Sequence, residues 1–158
     1  MDKQLTLRRA EASDQDFLLA LVESTREDLS LLDHTVKAML VRMQYDAQLS
    51  EYRRRFPGLE ESIVLVGSAS AGRLYVARSR EEIRLVDISL LPPFRGQGIG
   101  SRLLLRLQDE SHQSGLPLRL HVLQGNPAGA LYRRLGFQPG ESDGMYLAME
   151  WHPILLKE

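Results

Sequence analysis

The segment Arg95-Gly96-Gln97-Gly98-Ile99-Gly100 sets three glycines at alternate positions. Glycine bends the backbone tightly and leaves neighbouring N–H groups unobstructed by side chains. The segment lies between an Ile/Val/Leu-rich run, Ile83 to Leu91, and a helical pattern, which puts its amides at a helix N-terminus. There the first N–H groups lack partners, and the helix dipole adds roughly half a positive charge. Together these make a cradle for phosphate oxygens. Each charge-assisted bond to such an oxygen contributes about 1.5–3 kcal/mol, so a handful could hold a pyrophosphate without a basic protein. The same spacing also suits a β-to-α turn that binds nothing. Two common nucleotide loops fit poorly. A Walker loop needs Gly-Lys-Ser/Thr, and Gly100-Ser101 has no Lys. A dinucleotide turn needs G-x-G-x-x-G near an early strand and an acid about 20 positions on, and Leu116 to His121 holds none.

Other chemistries are excluded by what the chain lacks. It has no Cys, which removes disulfides, thiolate catalysis and Cys-based metal sites. The four His (His34, His112, His121, His152) are scattered, none at metal-ligand spacing from another, so no metal is expected. Twenty Lys+Arg against 21 Asp+Glu leave a net charge of −1, which supplies no global field for nucleic acid or an anionic membrane. No apolar stretch approaches the ~18 residues of a membrane span. The first 20 residues, broken by Arg8, Arg9, Glu11, Asp14 and Asp16, lack the apolar run of a signal peptide. A cytoplasmic protein of one domain, residues 1–158, is the expectation.

Gln4 to Arg8 alternates as a strand. Ser13 with Asp16 resembles a capping box ahead of a helix whose stripe is Phe17, Leu18, Leu21 and Val22. A second helix runs from about Asp33 to Phe56, with Val36, Leu40, Met43 and Ala47 as its apolar stripe and Gln44, Gln48 and Tyr52 as a polar stripe opposite. Ile63 to Val66 and Leu74 to Ala77 form a hairpin about the small, polar Ser68 to Gly72. Ile83 to Leu91 is the longest strand, stopped by Pro92-Pro93. A third helix, from Gly98 or Ile99 to about Gln113, turns Ile99, Leu103, Leu104 and Leu107 inward and closes at Gly115. Leu118 to Val122 is a strand. Asn126-Pro127 starts a helix over Ala128 to Leu135, and Met145 to Trp151 is the last strand. With hydrophobic residues at 43%, the chain can bury a core of the α/β class.

The run Ile88 to Gly100 resembles motif A of the GCN5-related N-acetyltransferases (GNAT), Q/R-x-x-G-x-G/A after a strand. Asn126-Pro-Ala-Gly-Ala-Leu-Tyr-Arg-Arg-Leu-Gly-Phe137 is similar to their motif B, with Gly129 at a position usually Ala. The two motifs sit about 30 residues apart and each falls at its expected structural place. The resemblance implies a mixed, mostly antiparallel, twisted sheet of six to seven strands, splayed between the fourth and fifth and flanked by four helices. It also implies acetyl-CoA as co-substrate. Arg95, Gly96, Gln97, Gly98, Ile99, Gly100 and Ser101 would hold its pyrophosphate through main-chain N–H groups, and Ile88, Ser89 and Leu90 its pantetheine arm. A main-chain N–H near Ile88 or Leu90 would polarise the thioester carbonyl. Asn126 would reach the pantetheine region, or simply cap its helix. Tyr132 holds the family position of the acid that protonates the departing thiolate, or else is a core Tyr.

The implied reaction is direct attack by a primary amine in a ternary complex, and the absence of Cys agrees with it. His121 is the first candidate for the base that frees the amine, since neutral imidazole suits physiological pH. Asp87 is its rival, and an ordinary strand residue is the alternative for both. Gln44, Gln48 and Tyr52 would line the acceptor pocket, or form a wet helix face. Arg53-Arg54-Arg55 reads as a solvated helix end. The acceptor is a small-molecule amine or a protein or peptide amine. The Met145–Trp151 strand offers an edge for pairing in a homodimer. A non-catalytic acyl-CoA-binding or regulatory module, or a transferase of a larger acyl group, would keep the same motifs.

Overall fold

The computed structural model describes residues 4–153, so residues 1–3 and 154–158 of the expected domain lie outside the described residues. Seven strands and four α-helices follow one another as β1 (Leu5–Arg9), α1 (Gln15–Glu23), α2 (His34–Arg55), β2 (Glu60–Val66), β3 (Ala69–Arg78), β4 (Ile83–Leu90), α3 (Ile99–Ser114), β5 (Leu118–Leu123), α4 (Ala128–Arg134), β6 (Gln138–Ser142) and β7 (Tyr146–Trp151). Hydrogen-bonded neighbours follow the order β1-β2-β3-β4-β5-β7-β6. The pairs β1–β2, β5–β7 and β6–β7 are antiparallel, and β4–β5 is parallel. This is the expected mixed sheet, with its higher strand count. The parallel ladder joins Ile83, Arg84 and Leu85 to Leu118, Arg119 and Leu120, the first three residues of each strand, as a sheet parting between its fourth and fifth strands requires.

The chain divides into two compact units. Of the described residues, one holds those up to Tyr75 together with Asp87–Gln97, and the other holds Val76–Val86 and those from Gly98 onward. In the first unit α1 packs on α2. Its core is Leu18, Val22, Leu29, Val41, Tyr45 and Ile63. The buried face of α2 is not the expected one. Val41 and Tyr45 are buried, Leu40 and Leu49 pack beside them, and Val36, Met39 and Met43 are exposed. Gln44, Gln48 and Tyr52, the polar stripe opposite the expected apolar one, are each partly buried. Apolar residues occur all round this helix, so periodicity alone cannot pick the face; packing against α1 and β2 does.

The cap ahead of α1 also differs from the reading. Asp14, not Asp16, closes the box, its Oδ2 accepting from the Glu11 N–H at 2.8 Å. Both carboxylate oxygens take hydrogen bonds from the Arg8 guanidinium, at 2.8 and 2.9 Å, tying β1 to the helix start.

In the second unit α3 lies on β5 with Ile99, Leu103, Leu104 and Leu107 buried, as its stripe predicts. Leu118, Leu120 and Val122 form the buried side of β5, while His121 on the other side is exposed. Nothing in the sequence pattern predicts β6. Gln138-Pro-Gly-Glu-Ser142 has no alternation, every residue is exposed, and it pairs only with β7, across a register shift. Proline is tolerated at such an edge. Because β6 covers it, β7 lies between two strands and offers no free edge for the homodimer pairing expected of Met145–Trp151. Among the described residues no helix is long and apolar enough to cross a membrane.

The Arg8–Asp14 contact sets an acid limit. The guanidinium bonds from Arg8, opposed by burial and aided by the Glu11 amide, bring the Asp14 carboxyl from 3.8 down to about 2. A depressed carboxyl stabilises the fold above its unfolded value and loses that effect as pH falls through its folded value. Asp14→Asn should lower stability at neutral pH by about 1–2 kcal/mol, because the paired charge is lost, and the melting temperature should then vary less between about pH 4 and 2 than in the wild type.

Candidate functional site

The glycine turn joins a short 3-10 helix at Pro92–Phe94 to α3. Gly96 and Gly98 have φ of +71° and +80°, a region where a side chain costs about 1–2 kcal/mol. A Cβ at either would meet nothing within 4 Å among the described residues, so backbone conformation rather than crowding demands glycine there. Gly98 caps α3, and the first helical hydrogen bond runs from Arg102 N–H to Gly98 O at 3.0 Å. The amides of Ile99, Gly100 and Ser101 precede that bond, as donors at a helix start do. The long side chains brace the turn. Arg95 donates from Nε to Leu90 O at 2.9 Å and from Nη2 to Ser24 Oγ at 3.3 Å, and Gln97 donates from Nε2 to Pro93 O at 2.5 Å.

The end of β4 is shaped by Gly72 on β3. A Cβ there would lie 2.0 Å from Ser89 O and 3.0 Å from Leu90 Cα. Only glycine admits this approach. The Ser89–Leu90 peptide turns its carbonyl toward β3, so a planar trans unit sends the Leu90 N–H the other way. The next peptide alternates: Leu91 N–H donates to Ala71 O at 2.8 Å, and the Leu90 carbonyl faces away, where Arg95 reaches it.

Four of the expected residues meet around one that the sequence reading missed. Arg73 on β3, only 4% exposed, donates from Nη2 to Asp87 Oδ2 at 2.7 Å and to Gln48 Oε1 at 2.6 Å. The Tyr52 hydroxyl donates to Asp87 Oδ2 at 2.9 Å, and Ser89 Oγ to Asp87 Oδ1 at 2.7 Å. The Arg73 guanidinium lies 4.9 Å over the Tyr75 ring, and Tyr52 meets that ring edge-on. Burial pushes the Tyr75 hydroxyl up to about 12, so it stays protonated at physiological pH. Gln44 stands outside this group and accepts from Arg26 Nη1. The signal available was an Arg inside the run Ala69 to Ala77, with an Asp in the following strand. Placing a turn at Ser68 to Gly72 hid it, because β3 starts at Ala69 and carries Arg73 in mid-strand.

In the second unit Tyr132 is buried on α4, its ring 5.6 Å from that of Phe137, with Phe137 N–H donating to Tyr132 O. Asn126 Oδ1 accepts from the Ala128 N–H at 2.9 Å, which is the expected helix cap. His121 on β5 has Nδ1 at 2.8 Å from Arg84 Nη1. Arginine only donates, so that nitrogen is the acceptor and the neutral ring carries its proton on Nε2. Arg53 and Arg54 pair with Glu61 and Glu51, and Arg55 lies over Phe56. Among the described residues no three His, Asp or Glu side chains gather as a metal site.

Comparison with known proteins gives one consistent result. The model of the acetyltransferase (GNAT) family matches residues 19–137. The thialysine N-epsilon-acetyltransferase of Mus musculus is 32% identical over 91 residues, 56% of this chain. The match spans about half of that protein's length, 54%. Among solved structures, the PaiA N-acetyltransferase of Thermoplasma acidophilum in complex with coenzyme A superposes with a TM-score of 0.68 at 19% identity, over 94% of this chain and 99% of that one. An acetyltransferase of Thermus thermophilus does so at 0.68 and 21% identity, over 98% and 100%.

The glycines give a paired test. Gly72→Ala should destabilise the protein by about 3 kcal/mol, since backbone stands where the methyl must go. Gly129→Ala, whose methyl meets nothing within 4 Å among the described residues, should stabilise it by up to about 1 kcal/mol. Denaturant unfolding reads both.

Proposed function

The chain belongs to the acetyltransferase (GNAT) family, and on that premise we propose that it is an acetyl-CoA-dependent N-acetyltransferase that moves an acetyl group to a primary amine by direct attack. The observation that carries this reading is the glycine turn, which presents the Ile99, Gly100 and Ser101 amides ahead of the first helical bond of a 16-residue helix. Such a donor set suits a diphosphate. When bound, acetyl-CoA supplies the activated acetyl group. Arg95 to Ser101 hold it by main-chain N–H groups, and Ile88, Ser89 and Leu90 hold its arm. The Leu90 N–H, sent away from β3, donates to the carbonyl oxygen, a contribution of about 2.7–4 kcal/mol for one such donor. Asn126, with Oδ1 spent on its own helix, has its NH2 group to offer the arm.

Tyr132 Oη carries the proton for the leaving sulfur. A phenol near pKa 10 stays protonated at neutral pH and faces a thiol near 8.5, a gap of about 1.5 units. Asp87, rather than His121, takes the N–H of the acceptor amine. A proton on His121 Nδ1 would displace Arg84, whereas a carboxylate has about four acceptor directions and Asp87 is engaged by Arg73, Tyr52 and Ser89. Gln44, Gln48 and Tyr52 belong to the acceptor side, and two of them already join the Asp87 cluster. The mouse relative, whose named acceptor is thialysine, supports a small-molecule amine as acceptor.

Acetyl-CoA at about a hundred times its Kd should stabilise the protein by about 2.7 kcal/mol, read as a rise in melting temperature. No rise with acetyl-CoA, CoA or longer acyl thioesters overturns the reading. Tyr132→Phe should lower kcat about 10²-fold or more while acetyl-CoA Kd stays within about twofold. Equal losses in both would assign Tyr132 to packing against Phe137.

A further inference from the structure

We infer that Arg73 is a positioning residue for the acceptor amine, acting through Asp87; the inference rests on the N-acetyltransferase reading above. Both groups are withdrawn from water, with side chains 5% and 11% exposed. A buried ion pair is seldom the most stable filling of a core, since apolar residues of like volume serve the fold at least as well. Nor is this one satisfied as a purely structural pair would be. Arg73 spends Nη2 on both Asp87 and Gln48, while its buried Nε has no hydrogen-bond partner. A buried donor left unsatisfied asks for a reason beyond packing.

The geometry supplies one. Tyr75 beneath the guanidinium, with the Tyr52 ring against its edge, keeps Arg73 from swinging. Arg73 and Tyr52 together hold Asp87 Oδ2, and Ser89 holds Oδ1. About four acceptor directions belong to a carboxylate, so three donors leave one. That last direction, on Oδ1, is fixed in space and takes an N–H of the amine. Without Arg73 the carboxylate loses its main partner and its orientation. The hydrogen bonds of Arg73 run to Asp87 and Gln48, neither of which is proposed to hold the diphosphate. Acceptor handling should therefore change while acetyl-CoA binding does not.

The test compares wild type, Arg73→Gln, Arg73→Lys, Asp87→Asn and the Arg73→Gln/Asp87→Asn double variant. Acetyl-CoA Kd is measured by calorimetry, and released CoA is followed with thialysine, lysine, spermidine and an Ala-initiated peptide as acceptors. Arg73→Gln should lower acceptor kcat/KM about 10²-fold, with acetyl-CoA Kd within about twofold, and Arg73→Lys should recover part of the loss. On the Asp87→Asn background, Arg73→Gln should cost less than about threefold more, because the two act as one unit. Arg73→Lys keeps the charge and decides the matter if the Gln variant does not fold. Parallel loss of acetyl-CoA affinity and acceptor kcat/KM, or acceptor kcat/KM within about threefold of wild type in both Arg73 variants, overturns the inference. A wild type that neither binds acetyl-CoA nor acetylates any of the four amines overturns the N-acetyltransferase reading itself, and this inference with it.

Discussion

The site depends on one hand-over, from the last residue of β4 to the first turn of α3. Pro92 and Pro93 end the strand, and two left-handed residues, Gly96 and Gly98, reverse the chain within a few positions. The rotation of α3 about its axis is set independently, by burying Ile99, Leu103, Leu104 and Leu107. Turn and buried face together leave the amides of Ile99, Gly100 and Ser101 no choice of direction. The turn's own side chains support this economy. Arg95 donates to Leu90 and Ser24 and Gln97 to Pro93, so the turn is braced by its own side chains.

The second constraint is a charge withdrawn from water. Arg73 in the middle of β3 needs Asp87, and the pair in turn recruits Gln48 and Tyr52 from α2. Gln48 and Tyr52 thus continue the face that buries Val41 and Tyr45, while Val36, Met39 and Met43 stay exposed. Burying those three apolar residues instead would turn the helix and leave Arg73 and Asp87 with fewer partners. A buried charge with one partner removed costs more than a few exposed methyl groups. The close approach of Gly72 to Ser89 belongs to the same region, so its packing and its electrostatics both act on the end of β4.

The second unit solves a like-charge problem. Arg84 and Arg119 are register partners on β4 and β5, an unfavourable juxtaposition by itself. Glu82 answers both, at 2.7 and 3.6 Å, and Glu150 on β7 adds a contact to Arg119 at 3.0 Å. Arg84 then reaches His121 Nδ1 at 2.8 Å.

Local signals were enough wherever one neighbour in the chain decides the conformation. The glycine turn, the Pro stop after β4, the inward stripe of α3, the Asn126 cap and the alternation of β5 all rest on interactions within a few residues, and all were legible. β6 was not, because an edge strand needs neither alternation nor β-branched residues, only a partner, and its partner is β7. The buried face of α2 and the Asp14 cap were misread for related reasons. Several faces or residues satisfied the local rule, and core packing on Leu18, Val22 and Ile63, with contacts to Arg73, Asp87 and Arg8, chose among them. The residues of this chain, taken alone, determined its fold class, its family resemblance and the segment whose amides face a helix start. Tertiary structure decided which polar groups meet, because burial of a charge is settled by partners distant in sequence, and no pattern along the chain records where those partners stand.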